Sequence, residues 1–358
     1  MDGDNITCCM EIPMNEAGDK GTVSIELVHE ALQVALARGV DVAGVLRQAR
    51  IDEQLLHAPL ARVSAIAYAK LWAVLADLLN DEFFGMDSHP MRRGSFRLMC
   101  QASSGAESLE QAIHRILRFL GLVLDDFQGE LRREGAFAVI TLHDHGKMRR
   151  LFAYGTWFIL VHGLACGLVR RRIPLEQLTF RSPAPLDDSH YRTRFCQNLV
   201  FDAPSTQIRF DASLLDLKLL ETPASISAFV HDAPANLLVK YRNESSVSAL
   251  IRRRLRSQPP GDWPELDELA RILCMSGTTL QRRLQVEGMN YQRLKDELRR
   301  DIAIDLLSVD VFTVAEVAAR IGFQETSAFH RAFKKWTGVS PGAYRRGSDV
   351  DAAVQPKA

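Results

Sequence analysis

The chain has 358 residues, and its 44 lysine and arginine residues balance 44 aspartate and glutamate residues, so the formal net charge is zero. A hydrophobic share of 47% and a charged share of 25% exclude wholesale disorder, a collagen-like repeat and a disulfide scaffold. The length predicts two or three domains. The six cysteines are scattered, without a C-x-x-C pair or a zinc-like spacing, which favours a reducing compartment.

The N-terminal residues are polar, with neither a basic start nor an apolar stretch of the signal-peptide kind. We therefore predict a cytoplasmic protein with a disordered leader over residues 1–21. Three amphipathic helices are predicted next, over residues 24–38, 64–79 and 108–124. The apolar period then shortens, and three strands are predicted, over residues 137–142, 175–180 and 207–210. Together these elements predict an α+β N-terminal domain over residues 22–222.

One segment of this domain, residues 151–169, contains 19 residues without a formal charge. That is about long enough to cross a bilayer. Arginines flank both ends, so they give no preferred orientation, and His162 and three glycines interrupt the segment. We predict a helix buried inside a globular domain, and no membrane partner.

A linker that contains a helix is predicted over residues 223–262. Pro223 and Pro234 bracket a weakly patterned stretch, helix signals run from residue 235 towards residue 255, and residues 257–264 are rich in helix breakers. The charge changes at this point, because residues 250–347 contain 17 lysine and arginine residues against 12 acidic residues. A mildly basic C-terminal segment on a neutral chain indicates a nucleic-acid partner.

The basic segment contains an internal repeat with a period of about 48 residues. The first copy spans Leu266–Gly288 and the second spans Val314–Gly338. In each copy a first apolar helix is followed by a short turn and by a second helix that ends at a glycine. Ala270 and Ala318 are small, which lets the second helix approach the first closely. This pattern predicts a helix-turn-helix in each copy.

The outer face of each second helix keeps polar and basic side chains. They are Thr278, Gln281, Arg282 and Gln285 in the first copy, and Ser327, His330, Arg331 and Lys334 in the second. The second helix of such a unit can enter a major groove of DNA. Arginine can pair there with guanine and glutamine with adenine, whereas lysines and the remaining arginines more often contact phosphates. These eight residues are the predicted DNA-binding residues.

Residues 291–309, between the two copies, have the apolar spacing of a single helix. At 1.5 Å per residue this helix spans roughly 28 Å, which would set two recognition helices about one DNA turn apart. We therefore predict an all-α DNA-binding domain over residues 263–347, with two helix-turn-helix units joined by a long helix. A disordered tail is predicted over residues 348–358.

Residues 263–346 strongly resemble the DNA-binding domain of AraC/XylS-type transcription regulators. The residues that carry the resemblance are Leu266-x-x-Leu269-Ala270, Met275-Ser276-x-x-Thr279-Leu280-x-Arg282-x-Leu284, Val314-x-x-Val317-Ala318-x-x-Ile321-Gly322-Phe323, and Phe329-x-Arg331-Ala332-Phe333-Lys334-Lys335-Trp336-Thr337-Gly338-Val339-Ser340-Pro341-x-x-Tyr344-Arg345. The resemblance covers about a quarter of the chain.

Within this region the resemblance implies that four side chains face DNA, namely Gln281, Arg282, His330 and Arg331. Two residues depart from the usual pattern. Gly277 opens the first recognition helix where a larger polar residue is usual, and Gln324 stands where a serine would make a better N-cap. Both departures affect the expected target sequence rather than DNA binding itself.

The N-terminal 220 residues resemble, more loosely, the α+β effector domain of the AraC branch that includes regulators of ornithine utilisation. This domain differs from the cupin-like sensor of the arabinose regulator. Its strongest point of similarity is the run Leu199-Val200-Phe201-Asp202-Ala203-Pro204. The resemblance implies a domain that binds a small molecule, forms a homodimer, or does both.

Aromatic residues with a few polar atoms can line an effector pocket. On the apolar segment the candidates are Tyr154, Trp157, Phe158 and His162. Aromatic residues at helical spacing also form ordinary core, so both interpretations stay open. His143 with His145, or His162 with Cys166, could place two ligands on a metal, but no third ligand accompanies either pair. We predict neither a metal nor a cofactor.

The sequence therefore predicts a bacterial, sequence-specific transcription regulator that binds promoter or operator DNA and activates RNA polymerase under control of an effector in the N-terminal domain. The alternative is a regulator without an effector, whose N-terminal domain only dimerises or binds a protein partner. No P-loop, G-x-S-x-G or dinucleotide motif is present, so no catalytic residue and no enzymatic activity are predicted.

Overall fold

A computed structural model of the chain describes residues 21–185, 187–220, 237, 247–308 and 311–346. The predicted leader up to residue 20 and the predicted tail lie outside the described residues. Pro223, Pro234 and most of the helix predicted from residue 235 also lie outside them.

The first part of the chain forms a two-stranded ribbon that carries three helices. Its elements are β1 (Thr22–Ser24), α1 (Ile25–Ala37), α2 (Val42–Ala49), a 3₁₀ turn (Glu53–His57), β2 (Arg62–Ser64) and α3 (Ala65–Leu79). β1 and β2 pair antiparallel, and each runs directly into a helix. Ser24 and Ser64 cap these helices, because each side chain accepts a backbone N–H of the first turn. The helices predicted over residues 24–38 and 64–79 are confirmed to within one residue.

Residues 95–216 form a layer of helices against a mixed sheet. Its elements are α4 (Ser95–Ser104), α5 (Leu109–Val123), β3 (Gln128–Glu134), β4 (Phe137–His143), α6 (Leu151–Leu168), β5 (Gln177–Thr179), α7 (Ser189–Arg194), β6 (Leu199–Val200), β7 (Thr206–Asp211) and a 3₁₀ turn (Ala212–Asp216). The strand order is β3-β4-β7-β5-β6, and every neighbouring pair is antiparallel except β5 with β6. The predicted helix at 108–124 and the three predicted strands are confirmed as α5, β4, β5 and β7, with small shifts at their ends.

The apolar helix α6 runs through the middle of this layer, and 16 of its 18 residues are buried. Trp157 lies directly on Gly129 of β3, where an added Cβ would be 2.7 Å from the indole ring. Strand and helix can approach this closely only because residue 129 has no side chain. Among the described residues α6 is the one helix long and apolar enough to cross a membrane, and its burial on nearly all sides matches the predicted core helix.

The C-terminal region is entirely helical in its described part. Its elements are α8 (Val247–Arg256), a 3₁₀ turn (Pro260–Asp262), α9 (Leu266–Ile272), α10 (Gly277–Val286), α11 (Tyr291–Ser308), α12 (Val314–Arg320), α13 (Thr326–Thr337) and α14 (Pro341–Arg346). α9 with α10 forms the first helix-turn-helix unit and α12 with α13 the second, and α11 joins them. The predicted fold class, an α+β domain followed by a double helix-turn-helix, is confirmed.

Three apolar clusters hold the described residues together. One contains α4, α5, α6 and the five-stranded sheet. A second contains α8, the first helix-turn-helix unit and the first half of α11. The third joins α1, α2 and α3 to the second half of α11 and to the second helix-turn-helix unit. The second unit is therefore packed on the N-terminal region, whereas the first has a core of its own.

Candidate DNA-binding surface and interdomain cavity

The first helix-turn-helix unit presents one polar face because its other face is buried. Ser276 begins the recognition helix α10, and its hydroxyl accepts the Thr279 N–H at 3.1 Å. Leu280 and Leu284 are buried in the cluster shared with α8. The turn before the helix places Cys274 at a φ of 55°, in the left-handed region. α10 ends as predicted, with Gly288 at a φ of 68° just beyond it.

The second unit has the same plan with different capping. Thr313 and Glu316 form a capping box at the start of α12, with the Thr313 N–H donating to the Glu316 carboxylate at 2.7 Å. The recognition helix α13 begins after Glu325, whose side chain makes no capping hydrogen bond. Gln324 lies in the turn before α13, as the sequence predicts, and Glu325 is the residue at the N-cap. Gly338, at a φ of 78°, ends α13 as predicted.

All eight predicted DNA-binding side chains are exposed on the two recognition helices. They are Thr278, Gln281, Arg282 and Gln285 on α10, and Ser327, His330, Arg331 and Lys334 on α13. Within the described part of the chain, Arg282 and Arg331 take part in no ion pair, so no acidic neighbour competes for their guanidinium groups. Neither recognition face is covered by the N-terminal domain. The contact of these residues with DNA stays a prediction.

The N-terminal ribbon is fastened to α11 by a buried polar contact. The Thr22 hydroxyl donates to the Asp301 carboxylate at 2.6 Å, and Arg300 forms an ion pair with the same carboxylate at 3.0 Å. The Arg62 guanidinium donates to the hydroxyl and to the backbone carbonyl of Thr22, at 2.8 and 3.1 Å. The Arg62 N–H also donates to the Tyr344 hydroxyl at 3.1 Å, which joins β2 to α14.

Burial alone would raise the pKa of Asp301, which is only 7% exposed. The charges of Arg300 and Arg62 and the hydrogen bond from Thr22 outweigh that effect, so the pKa of this carboxyl lies well below its usual range. Asp301 is therefore ionised at neutral pH and links the two domains as a charged group.

A cavity of about 410 Å³ lies beside this contact, between the two domains. Its N-terminal wall comes from β1, α1, β2, α3, α6 and α7, and its C-terminal wall comes from α8, α11 and the turn before α11. The volume lies in the range of small-molecule sites. A ligand in this cavity would touch both domains at once.

The four predicted effector residues lie elsewhere, in the core around α6. Tyr154 donates to the Asp144 carboxylate and accepts the Arg149 N–H, and Trp157 packs edge-on against Phe158 with ring centroids 5.2 Å apart. All four side chains are buried, and none lines the interdomain cavity. Their effector role stays a prediction.

His162 illustrates how closed this core is. Its Nε2 lies 2.8 Å from the Ile173 carbonyl oxygen and 3.5 Å from Cys166 Sγ. Burial, and the charges of Arg194 and Arg172, hold its pKa well below the usual range, so the ring is neutral. No group of three or more potential metal ligands occurs among the described residues.

Residues on another face of the same helix do line the cavity, namely Phe152, Gly155, Thr156 and Ile159. The sequence analysis missed them, together with Arg62 and His190. Apolar spacing identifies α6 as buried, but it does not show which part of the buried surface borders a cavity.

Comparison with known proteins agrees with this architecture. The family described as the arabinose-binding domain of AraC transcription regulators, N-terminal, matches residues 39–219, and a helix-turn-helix domain family matches residues 269–347. The first match alone covers just over half of the chain. The protein belongs to the AraC family of transcription regulators, and it is a DNA-binding regulator rather than an enzyme.

Individual relatives point the same way. The ornithine utilization regulator of Pseudomonas aeruginosa is 28% identical over 336 residues, which cover 89% of this chain and 96% of the relative. An uncharacterized helix-turn-helix transcriptional regulator of Mycobacterium tuberculosis is 37% identical over 110 residues, 31% of this chain and 32% of that protein. The match to the solved transcriptional regulator CdpR of Pseudomonas aeruginosa has 21% identity, covers 79% of this chain and 87% of that chain, and has a TM-score of 0.28.

Proposed function

We propose that this regulator reads a specific promoter sequence through both recognition helices, α10 and α13, and activates transcription when a small molecule binds its N-terminal domain. The observation that carries the proposal is that all eight predicted DNA-binding side chains are exposed, whereas Leu280 and Leu284 of α10 and Phe329 and Phe333 of α13 are buried and fix the orientation of the two helices. Binding would take place in the cytoplasm, as a homodimer in contact with RNA polymerase.

The arrangement of the units supports reading two successive major grooves. α11 has 18 residues, so at 1.5 Å per residue it is roughly 27 Å long. This length separates the two units by an amount close to one turn of DNA. Arg282 and Arg331 are the best candidates for pairing with guanine, and Lys334 for contact with phosphate.

The test begins with genome-wide mapping of the DNA bound by the full chain, followed by binding measurements on one mapped site. Arg331→Ala should weaken binding by about 1–3 kcal/mol, roughly 5- to 150-fold, and relax the preference at one base position. Arg282→Ala should do the same at a position about one DNA turn away. Arg118→Ala, on the exposed face of α5, removes the same charge as a control and should leave the affinity unchanged.

Salt dependence supplies a second test of the same proposal. Phosphate contacts release counterions, so the logarithm of the binding constant should fall linearly with the logarithm of the salt concentration. Lys334→Ala should reduce that slope by about one unit without changing the sequence preference. Unchanged affinity and preference in both arginine variants would contradict the proposed recognition faces.

A further inference from the structure

Among the described residues that line it, the interdomain cavity has an excess of positive charge. These residues include eight arginines, Arg62, Arg192, Arg194, Arg252, Arg253, Arg256, Arg293 and Arg300. They include four acidic residues, Asp187, Glu287, Glu297 and Asp301. One of these carboxylates is shared, because Glu297 accepts both from Arg252 and, at 3.1 Å, from Arg293. A cavity with this lining favours an anion.

The positive charges also act on one another at the domain contact. Arg62 is partly buried, and its hydrogen-bond acceptors are the side chain and carbonyl of Thr22 rather than a carboxylate. Burial, and the nearby charge of Arg300, lower the pKa of Arg62 despite the opposing effect of Asp301. An anion placed beside Arg62 and Arg300 would relieve this repulsion.

Two polar side chains in the cavity wall have no hydrogen-bond partner in the described part of the chain. The Thr156 hydroxyl and both ring nitrogens of His190 are shielded from solvent and form no hydrogen bond among the described residues. Burial, opposed by Asp187 and assisted by Arg62, lowers the pKa of His190 to about 4, so its ring is neutral at pH 7. Buried polar groups are normally satisfied, and oxygen atoms of a bound molecule would accept the Thr156 hydroxyl and the single N–H of the neutral His190 ring.

The N-terminal wall also contains several aromatic side chains. Tyr68, Trp72, Phe152 and Tyr191 all line the cavity, and each is less than 10% exposed. Aromatic side chains of this kind favour a ligand with a flat or apolar body. Inorganic anions have no such apolar part.

We propose that the interdomain cavity binds an organic carboxylate with an apolar body, the carboxylate beside Arg62 and Arg300 and the apolar part against the aromatic wall. Thr156 and His190 would complete the polar contacts. The ligand would touch α6 and α7 on one side and α11 on the other. The role of this ligand as an effector rests on the proposed regulatory function, but binding of the ligand can be measured without DNA.

The experiment uses the full chain and four probes, in calorimetric titration and in thermal melts. 3-Phenylpropionate and octanoate carry the proposed features, 3-phenylpropionamide lacks the charge, and inorganic phosphate lacks the apolar body. At least one carboxylate should bind saturably and raise the melting temperature, because a ligand that binds only the folded state stabilises it by mass action. The amide and phosphate should bind at least about 10-fold more weakly.

Variants then locate the site. Arg62→Gln and Arg300→Gln should each weaken carboxylate binding about 10-fold or more, because each removes a charge-assisted contact. Both residues also hold the domains together, so Thr156→Val serves as a variant of nearly unchanged shape, with an expected weakening of about 3- to 10-fold. Arg118→Gln is the matched surface control and should bind like the natural chain.

Several results would overturn the proposal. They are no binding by either carboxylate, equal binding by the amide or by phosphate, and unchanged carboxylate binding in Thr156→Val together with a folded Arg62→Gln or Arg300→Gln. Binding of promoter DNA without ligand is measured on the same samples. If the chain binds promoter DNA but does not bind the carboxylates as expected, only the proposed ligand site is contradicted. If the chain does not bind promoter DNA, the proposed function is contradicted.

Discussion

The first helix-turn-helix unit packs on α8 and on the first half of α11, in a cluster whose described residues include none from the N-terminal domain. The second unit packs on α1, α2 and α3, in a cluster where Phe329 and Phe333 share a core with residues near the start of the chain. Polar contacts repeat this difference, because Thr22 and Arg62 reach Asp301 and Tyr344 in the second half of the DNA-binding domain. The two copies of one motif therefore pack against different parts of the molecule.

This difference indicates how a signal could reach DNA. The second unit packs directly on the N-terminal domain. The first unit lies beside the cavity, whose walls include Arg252, Arg293 and Met289. A molecule in the cavity would change DNA affinity only through unequal affinity for two arrangements of the units. The two affinities must then be coupled reciprocally, so DNA would change ligand affinity by the same factor.

Truncating one buried side chain in the core of each unit should have the largest effect on stability and should separate the two units most clearly. Phe333→Ala should cost about 4 kcal/mol, because this fully buried ring leaves a cavity at the junction of two domains. Leu284→Ala should cost about 3 kcal/mol within the first unit. In hydrogen exchange, Phe333→Ala should raise exchange in α13 and in α1 to α3, whereas Leu284→Ala should raise it in α8 to α10. Protection in α1 to α3 that is unaffected by Phe333→Ala would contradict a shared core.

Removing the charge of Asp301 should have the next largest effect. Asp301→Asn leaves Arg62 and Arg300 without their buried counter-charge, at a cost of about 3 kcal/mol. The folded-state pKa lies below the unfolded value of about 3.9, so this stabilisation is present above pH 4 and is lost as the pH falls further. Denaturant unfolding from pH 3 to pH 7 measures this, and the natural chain should lose more stability on acidification than Asp301→Asn does.

Asp296→Asn, also on α11, is the control for that measurement. Its carboxylate is partly exposed, and its ion pair with Arg299 is 4.0 Å long. Its substitution should change stability by less than about 0.5 kcal/mol at any pH. An identical acid dependence in the natural chain and in Asp301→Asn would show that Asp301 does not link the domains.

Substitution of two tyrosines tests the difference between the two units without changing any charge. Tyr344→Phe removes the acceptor of the Arg62 N–H between the domains. Tyr291→Phe removes a donor to the Pro264 carbonyl, a hydrogen bond of 2.6 Å that joins α11 to the segment before the first unit. Each should cost about 1–2 kcal/mol. Exchange of the Arg62 amide should accelerate only in Tyr344→Phe, and acceleration in both variants would argue against two separately connected units.

Much of this architecture could be predicted because it follows from periodic apolar residues and caps. α1, α3 and α5 each begin after a serine that caps the helix and continue through apolar residues spaced for one buried face. The double helix-turn-helix was predictable from its repeat. β3 escaped prediction because Leu131 is the one buried residue in its seven, so the strand shows no apolar alternation.

The interdomain features could not be read from the sequence in the same way. Arg62, Thr22 and Asp301 are separated by up to 279 positions, and no local pattern marks them as neighbours. His190 lies on a helix of six residues, too short for a periodic signal. The recognition faces were predictable residue by residue, whereas the cavity exists only because two domains meet.

The smallest expected effect concerns the start of the two recognition helices. Ser276 caps α10 with a side-chain hydrogen bond, whereas Glu325 precedes α13 without one. Ser276→Ala should therefore cost about 1 kcal/mol. Glu325→Ser should add a capping hydrogen bond of similar value, but it also removes a negative charge that stabilises the helix N-terminus by about 0.3–1 kcal/mol. The net gain should be about 0.5 kcal/mol or less, measurable as a small rise in the urea midpoint. A loss of stability in Glu325→Ser would mean that the charge of Glu325 stabilises the helix more than a capping hydrogen bond would. The two recognition helices would then be stabilised at their N-termini by different interactions of similar strength.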